Sequence, residues 1–305
     1  MNCIVIFVTR KPIHGKQSLG LKTCKMAQIQ RGTWLQEKIE LLKSEFVTDD
    51  VVDGWFLMNS FQPVFWIAVA YLLFVLKLGP KIMEKREPLP IRGLMVAYNL
   101  FQIFFNGWLV WLLFTTPGSM LYVRKDICQF PGRKNNPYFL PVLTGSWYFF
   151  ISKLIDLLDT VFFVLRKKQS HITFFHVFHH VNVLILSWAF LKYMKDEHAV
   201  LAGALNSFVH IWMSSYYLLA ALGPPMRKYL WWKKHMTQLQ IGHLVIILAY
   251  IGVLIWYRCK VLISLALHIA VNIFVFLYFF LEFYFRTYTK GTKATIGEEK
   301  NKKTA

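Results

Sequence analysis

The chain has 305 residues, of which 56% are hydrophobic and 17% aromatic, and its mean hydropathy is +0.40. So apolar a composition excludes an ordinary soluble domain. The formal net charge of +19 would suggest nucleic acid as the partner of a soluble chain. Membrane proteins, however, collect Lys and Arg in their cytoplasmic loops, so we expect a lipid bilayer and no nucleic acid.

Seven apolar stretches are long enough to cross a bilayer, whose hydrocarbon core takes roughly 20 helical residues. The predicted spans are residues 62–78, 93–114, 141–165, 172–193, 199–222, 236–257 and 261–284. Most connections are short and charged, which leaves no room for a separate soluble domain. The predicted fold is an all-α integral membrane protein with seven transmembrane helices (62–284), an N-terminal lumenal tail (1–61) and a basic cytosolic tail (285–305).

The distribution of Lys and Arg predicts the orientation of these helices. The loops after helices one, three and five, together with the C-terminal tail, hold 17 of these residues, whereas loops two, four and six hold 8. The segment Ser44–Phe61 holds none. The positive-inside rule therefore predicts a cytosolic C-terminus and a lumenal N-terminus. Eight basic residues within the first 43 lie too far from a span to carry much weight.

Both ends of the chain suggest targeting or processing. Lys302 and Lys303 fit the dilysine pattern that retrieves membrane proteins to the endoplasmic reticulum, and the predicted topology puts this tail in the cytosol, where the signal is read. We therefore expect a multi-pass protein of the endoplasmic reticulum membrane. The first 25 residues lack periodicity, which makes Met26 an alternative start to Met1.

Two of the four cysteines lie in predicted lumenal loops. Cys128 is in loop two and Cys259 in loop six. A disulfide between them suits an oxidising compartment, and two unpaired loop cysteines are the alternative. No cysteine pair has the spacing of a zinc site, and we expect no metal.

The most informative motif is the histidine run within the fourth span. His176, His179 and His180 stand at positions i, i+3 and i+4, which share one face of a helix. Ionisable groups inside a lipid-embedded helix are costly, and they usually mark a working site.

Three further spans carry polar residues. These are Lys153, Asp156, Asp159 and Thr160 on helix three, Asn206, His210, Met213, Tyr216 and Tyr217 on helix five, and Thr237, Gln240 and His243 on helix six. In the predicted topology most of them lie in the cytosolic half of one bundle. We therefore predict a shared polar cavity that opens to the cytosol, with Arg166, Lys168 and Lys233 among the basic residues at its mouth.

Each of these residues also has a plainer interpretation. The two tyrosines can be interface aromatics, and Thr237 and Gln240 can join neighbouring helices by hydrogen bonds. Lys153 and Asp156 can form a simple intrahelical ion pair. The basic residues can serve the charge rule or anionic lipids alone.

The four motifs together resemble the ELO family, the elongases of very long chain fatty acids. His176–His180 matches the family's HxxHH, and Lys153–Thr160 matches KxxExxDT with Asp156 in place of Glu. His210–Tyr217 matches HxxMYxYY with Ser214 in place of the first Tyr, and Thr237–His243 matches TxxQxxQ with His243 in place of the last Gln.

The resemblance implies a 3-ketoacyl-CoA synthase, an acyltransferase that condenses a long-chain acyl-CoA with malonyl-CoA and releases CO2 and CoA. It implies no cofactor beyond these substrates, and it implies partnership with other enzymes of the elongation cycle; a homodimer is left open. His179 would accept the acyl group, and His210, His176 and His180 would assist. The implied substrate-binding residues are Lys153, Asp159, Arg166, Lys168, Tyr216, Lys233, Thr237 and Gln240.

Two other classes use polar groups inside membranes. A di-iron desaturase or hydroxylase needs about eight histidines in three boxes, whereas this chain has a single HxxHH. A seven-helix transporter needs polar groups that continue into the lumenal half, where the predicted helix ends are apolar. The sequence does not specify the chain length or unsaturation of the acyl group.

Overall fold

The computed structural model describes residues 50–116, 139–194, 199–257, 259 and 263–290, together with positions 36 and 40. The chain divides into two compact units, Met1–Phe46 and Val47–Ala305. All the long helices described below belong to the second unit.

The described residues contain seven long helices and no strand. They are α1 (Gln62–Met83), α2 (Arg92–Thr115), α3 (Phe139–Leu165), α4 (Phe174–Ala189), α5 (Ala199–Ala221), α6 (Lys233–Trp256) and α7 (Ile263–Tyr284). The π-helical segments Phe190–Met194 and Phe285–Lys290 continue α4 and α7. The helices begin and end within four residues of the predicted spans, except that α1 extends to Met83.

Five of these helices, α1, α2, α4, α6 and α7, are long and apolar enough to cross a membrane. Helix α3 is less apolar than these five because it carries Lys153, Asp156 and Asp159. Helix α5 is less apolar because it carries Asn206 and His210. Within the described residues, these two helices hold seven of the fifteen buried polar or charged side chains. Across its described residues the protein is an all-helical membrane protein.

Local sequence explains where several helices bend or begin. Pro80 interrupts the hydrogen-bond ladder of α1, and the π-helical turn Phe74–Leu78 just before it absorbs the disruption. Gly79 brings α1 close to α3, since a Cβ atom there would lie 2.6 Å from Val164 Cγ1. Thr173 caps α4 by accepting a hydrogen bond from the His176 backbone N–H at 3.2 Å, so α4 begins two residues after the predicted start.

Helices α2 to α7 form a ring. Helix α2 packs along α5 and against α3, α3 packs against α4, and α5 and α6 lead on to α7. Contacts between α4 and α7 close the ring: Phe175 packs on Phe279 and Phe280, and Asn182 Nδ2 donates to Asn272 Oδ1 at 2.6 Å. The loops that follow α1 and α3 meet at one face of this ring, where Lys167 Nζ donates to the carbonyls of residues 84 and 86. Arg92, at the start of α2, donates to the carbonyl of residue 222 just after α5.

Helix α1 lies outside the ring, packed on α3 and α4. Residues 50–61, which fall within the predicted N-terminal tail, pack there too: Val52 and Met58 are fully buried in the same apolar cluster. The cluster is held at its edge by Lys192 of α4, whose Nζ donates to Asp53 at 2.5 Å and to the Met58 carbonyl at 3.0 Å. The ordered bundle therefore begins before the first predicted span.

Candidate active site

A cavity of about 880 Å³ lies inside the ring, within the usual range for ligand sites. All six ring helices line it, whereas no described residue of α1 does. The half toward the basic loops, called the polar half below, is lined by Asp159, His171, His176, His179, His180, His210, Tyr216, Lys233, Thr237, Gln240 and His243, among others. The opposite half, called the apolar half, is lined chiefly by Leu109, Leu112, Val142, Gly145, Phe149, Leu186, Phe190, Val200 and Gly203.

The three histidines of α4 lie together in the polar half. The ring centroids of His176 and His180 are 4.4 Å apart, and those of His179 and His180 are 5.5 Å apart. The spacing of the motif produces this cluster, because residues i, i+3 and i+4 follow one face of the helix. His179 also packs on Phe276 of α7, with the ring centroids 5.0 Å apart.

His176 is fixed from behind by a hydroxyl chain. Its Nε2 lies 3.0 Å from Thr160 Oγ1, which accepts a hydrogen bond from the Tyr71 hydroxyl at 2.7 Å. Tyr71 comes from α1, so the helix outside the ring contributes to the site without lining the cavity. The sequence analysis missed Tyr71 because a single tyrosine in an apolar span carries no pattern.

His210 is fixed from behind by an ionic network. Its Nδ1 lies 3.5 Å from Asp156 Oδ2, and the same oxygen accepts from Lys153 Nζ at 2.8 Å. Lys153 also donates to Asn206 Oδ1 at 2.9 Å. Lys153 is only 3% exposed and does not line the cavity, so it meets the substrate through these partners if at all. The plain ion pair that the sequence allowed is therefore present.

The four histidines thus fall into two kinds. His176 and His210 are each held by a polar group behind the ring. His179 and His180, in contrast, make no hydrogen bond to any described protein group and are held by packing against other rings. Imidazole nitrogens without a protein partner inside a cavity are available to a ligand.

Gln102 of α2 also belongs to this layer, and no motif drew attention to it. Its Nε2 donates to Asp156 Oδ1 at 2.5 Å and to the Tyr98 hydroxyl at 2.9 Å. With Asn99 and Asn106 it forms a buried stripe of amides at i, i+3 and i+7. The spacing of these amides is the sequence signal that could have revealed Gln102. Hydropathy does not reveal it, because uncharged amides change the mean hydropathy of a span very little.

Helix α6 contributes the remaining wall of the polar half. Gln240 Nε2 donates to Met213 Sδ at 3.1 Å, which links the α5 and α6 motifs directly. Thr237 is buried, and its hydroxyl points back to the carbonyl of residue 233 at 3.4 Å. His243, which replaces a family glutamine, is also buried and lines the cavity.

The mouth of the cavity holds fewer of the predicted basic residues than expected. Lys233 lines it, and Arg286, from the predicted tail, joins Lys233 there. Arg166 and Lys168 are not among the described residues that line it. Burial, and after it the charges of Lys233 and Lys168, lower the pKa of His171 below its ordinary value, so Lys168 acts near the mouth without lining it.

The predicted disulfide falls partly outside the described residues. Cys259 is disulfide-bonded. Cys128 lies outside the described residues, as do Cys3 and Cys24, so the pairing of Cys259 with Cys128 stays a prediction.

Comparison with known proteins agrees with the motifs. The model of the ELO family, described as the GNS1/SUR4 family, matches residues 56–296. Very long chain fatty acid elongase 4 of Homo sapiens is 39% identical over 210 residues, which cover 68% of this chain and 66% of the relative. Very long chain fatty acid elongase 4 of Macaca mulatta is 36% identical over 74% of this chain and 72% of the relative.

Very long chain fatty acid elongase 7 of Rattus norvegicus is 38% identical over 205 residues, which cover 67% of this chain and 72% of the relative. The family match spans all seven long helices and every residue assigned above to the cavity. The chain belongs to the ELO family.

Proposed function

We infer that this member of the ELO family is a fatty acid elongase, and we propose that it condenses a long-chain acyl-CoA with malonyl-CoA to give a 3-oxoacyl-CoA, CO2 and CoA. One observation supports the proposal most: His179 of α4 and His210 of α5 line the same half of a cavity whose other half is apolar. The apolar half suits an acyl chain, and the polar half suits its thioester.

In the first step the His179 imidazole attacks the thioester carbonyl carbon of the acyl-CoA. The C–N bond forms, the C–S bond breaks, and CoA leaves as the thiol with the proton that the acylated imidazole gives up. Imidazole is a competent nucleophile near neutral pH, and no cysteine lines the cavity within the described residues. His179 suits this role because no described protein group occupies its ring nitrogens.

In the second step malonyl-CoA loses CO2, and the carbon of the resulting enolate attacks the acyl carbonyl. The C–N bond breaks, and His179 regains its neutral imidazole by taking up one proton. His176 and His180 line the same half of the cavity as His179 and would donate to the enolate or to the carbonyl oxygen, and His210 lines it too.

The remaining residues hold or orient these groups. Lys153 and Asp156 keep His210 in place, and Asp159 sets the charge near the cavity wall. Tyr216, Thr237 and Gln240 are candidates to contact the thioester or the pantetheine portion of CoA. We assign the CoA phosphates first to Lys233, with Arg286 beside it, while Arg166 and Lys168 serve the part of CoA outside the cavity.

We further propose that all seven helices span the membrane and that the polar half opens to the cytosol. The excess of Lys and Arg in the loops on that side supports this orientation. With a cytosolic C-terminus, Lys302 and Lys303 would retrieve the protein to the endoplasmic reticulum. The same membrane would hold the enzymes that reduce and dehydrate the 3-oxoacyl product.

The test is the purified protein in detergent or liposomes, incubated with a long-chain acyl-CoA and ¹⁴C-malonyl-CoA. We expect a labelled 3-oxoacyl product that depends on both substrates. With acyl-CoA alone, peptide mass spectrometry should find the acyl group on the peptide that contains His179. An elongase assay without product, or iron found in stoichiometric amount together with desaturation, would overturn the proposal.

A further inference from the structure

Gln102 lies in a helix that carries none of the four motifs, yet it touches the centre of the ionic network. It is 1% exposed, and its Nε2 donates to Asp156 Oδ1 at 2.5 Å. Hydrogen bonds to a charged group are the stronger kind. The bond therefore joins α2 directly to the carboxylate that holds Lys153 and His210.

Asp156 is also the position where this chain departs from the family motif, which has Glu there. The side chain is one methylene shorter, so its carboxylate reaches less far from α3. Asp156 Oδ2 is occupied by Lys153 at 2.8 Å and by His210 at 3.5 Å. The other oxygen has Gln102 as its partner. Glutamine has the longest neutral amide side chain, and it spans the distance from α2 to the shortened carboxylate.

We propose that Gln102 is a positioning residue that compensates for the Glu-to-Asp departure at position 156. It holds the short carboxylate in the place where Oδ2 lies 3.5 Å from His210 Nδ1. That contact occupies Nδ1 and leaves Nε2 as the His210 nitrogen for the substrate. Gln102 does not line the cavity, so it acts on the reaction through Asp156. The effect on catalysis rests on the proposed elongase function, whereas the structural coupling does not.

Tyr98 completes the arrangement. Its hydroxyl accepts from Gln102 Nε2 at 2.9 Å and donates to the carbonyl of residue 155 at 3.3 Å. If Gln102 is replaced by an apolar residue, this hydroxyl loses the group from which it accepts, and its single proton still points to the carbonyl of residue 155. With a longer carboxylate at position 156, that proton can turn from the carbonyl to the carboxylate, so Tyr98 is the donor that a glutamate would need.

The test is a double-mutant cycle on condensation rate. Gln102→Leu leaves one buried carboxylate oxygen unpaired, and we expect kcat to fall about 10- to 100-fold with little change in KM. Asp156→Glu inserts a methylene where Gln102 is already at 2.5 Å, and it should also lower kcat about 10-fold or more. The combined variant Gln102→Leu/Asp156→Glu should recover to within about 3-fold of wild type.

Asn106→Leu is the matched control. Asn106 is the next buried amide on the same face of α2, but its side chain donates only to the carbonyl of residue 102, and it does not line the cavity. We expect less than about a 3-fold change in kcat. The proposal is overturned if the two single effects multiply in the combined variant, or if Asn106→Leu is as damaging as Gln102→Leu.

Thermal unfolding of the same variants in detergent separates this proposal from the assigned reaction. Each single variant should lower the unfolding midpoint, and the combined variant should lie closer to wild type than the sum of the two shifts. If the variants show this pattern of unfolding midpoints but the wild-type protein makes no 3-oxoacyl product, the elongase assignment is overturned and the coupling is kept. Additive shifts would overturn the coupling whatever the activity.

Discussion

The two halves of the cavity lie inside the same ring of six helices, yet they differ in how their side chains are held. In the polar half, several lining groups are backed by a second polar layer, as His210 is by Asp156 and His176 by Thr160. In the apolar half, the few hydroxyls turn back to their own helices: Ser146 donates to the carbonyl of residue 142 and Ser187 to that of residue 184.

The difference indicates that the polar half serves the reaction and that the apolar half serves the selection of the acyl chain. Burying a polar side chain in a membrane bundle costs free energy. A polar half with a second layer of polar groups behind its lining therefore indicates that the lining groups must be held in one geometry. The apolar half needs only volume and shape, which the leucine side chains and the space left by the glycines set. Variants in the polar half should therefore change the rate, and variants in the apolar half should change which product is made.

The largest effect is expected from His179→Ala. Loss of the nucleophile should lower condensation at least about 10³-fold, because the step that forms the acyl intermediate loses its acceptor. The measurement is incorporation of ¹⁴C-malonyl-CoA by purified protein. His268→Ala is the control, since His268 lies on α7, is exposed and does not line the cavity. Acyl transfer retained by His179→Ala would disprove the nucleophile assignment.

The next effect concerns the mouth of the polar half. Lys233→Ala should lower kcat/KM about 10- to 150-fold if the ammonium group holds a CoA phosphate, given about 1.5–3 kcal/mol for a charge-assisted contact. Arg166→Ala should cost less, because Arg166 lies outside the cavity lining.

Lys81→Ala, in the last turn of α1, is the control for charge alone and should match wild type. Titrating acyl-CoA and malonyl-CoA separately would show which substrate each residue serves. Equal, minor effects at all three positions would mean that these residues satisfy the charge rule and do not bind CoA.

A smaller effect on rate, with a clear effect on product, is expected in the apolar half. Gly145 lines the cavity, and nothing lies within 4 Å of the position where a Cβ would stand. Gly145→Phe should fill that space and lower the yield of the longest products about 10-fold, while shorter acyl chains are extended at the wild-type rate.

Gly252→Phe is the matched control, because Gly252 is also open at the Cβ position but is exposed and outside the cavity. Gas chromatography of the products from a mixture of acyl-CoAs provides the measurement. An even loss of activity across all chain lengths would show that the two halves of the cavity do not act separately.

The smallest effect on activity is expected at Cys259. Its disulfide lies beyond the end of α6 that is farther from the polar half. Reduction should shift the mobility of the protein on a non-reducing gel, and it should change condensation by less than about 2-fold. Cys128→Ser should abolish the shift if Cys128 is the partner. Free reaction of Cys128 with maleimide in intact microsomes would contradict the predicted topology.

The sequence predicted the helices well because a long apolar run allows few other structures. It also placed nine of the twelve catalytic and substrate-binding candidates on the cavity wall. Lys153 is different. Its charge made it a candidate, but its ammonium group forms an ion pair with Asp156 and a hydrogen bond to Asn206 behind the cavity wall. Which side of a helix faces a cavity depends on packing, and one helix pattern alone does not encode it.

The residues that the sequence missed have a common feature. Gln102 and Tyr71 are uncharged, sit in apolar spans and act through a partner from α3. Arg286 was assigned to the tail because apolarity ends near Tyr284, but the helix continues as a π-helical segment and carries Arg286 to the mouth. Hydropathy predicts where a helix is apolar, and a helix can extend beyond that point.

Closure of the ring by α4 and α7 has a consequence for how the protein is made. These helices are neighbours in space, but Asn182 and Asn272 are 90 residues apart in the chain. During synthesis the histidines of α4 enter the membrane before the helices that will cover them exist. A nascent chain that ends before α7 leaves this face toward lipid or toward the insertion machinery, where unpaired polar groups are costly. Biogenesis of the protein is therefore most vulnerable in the interval between insertion of the fourth and seventh helices.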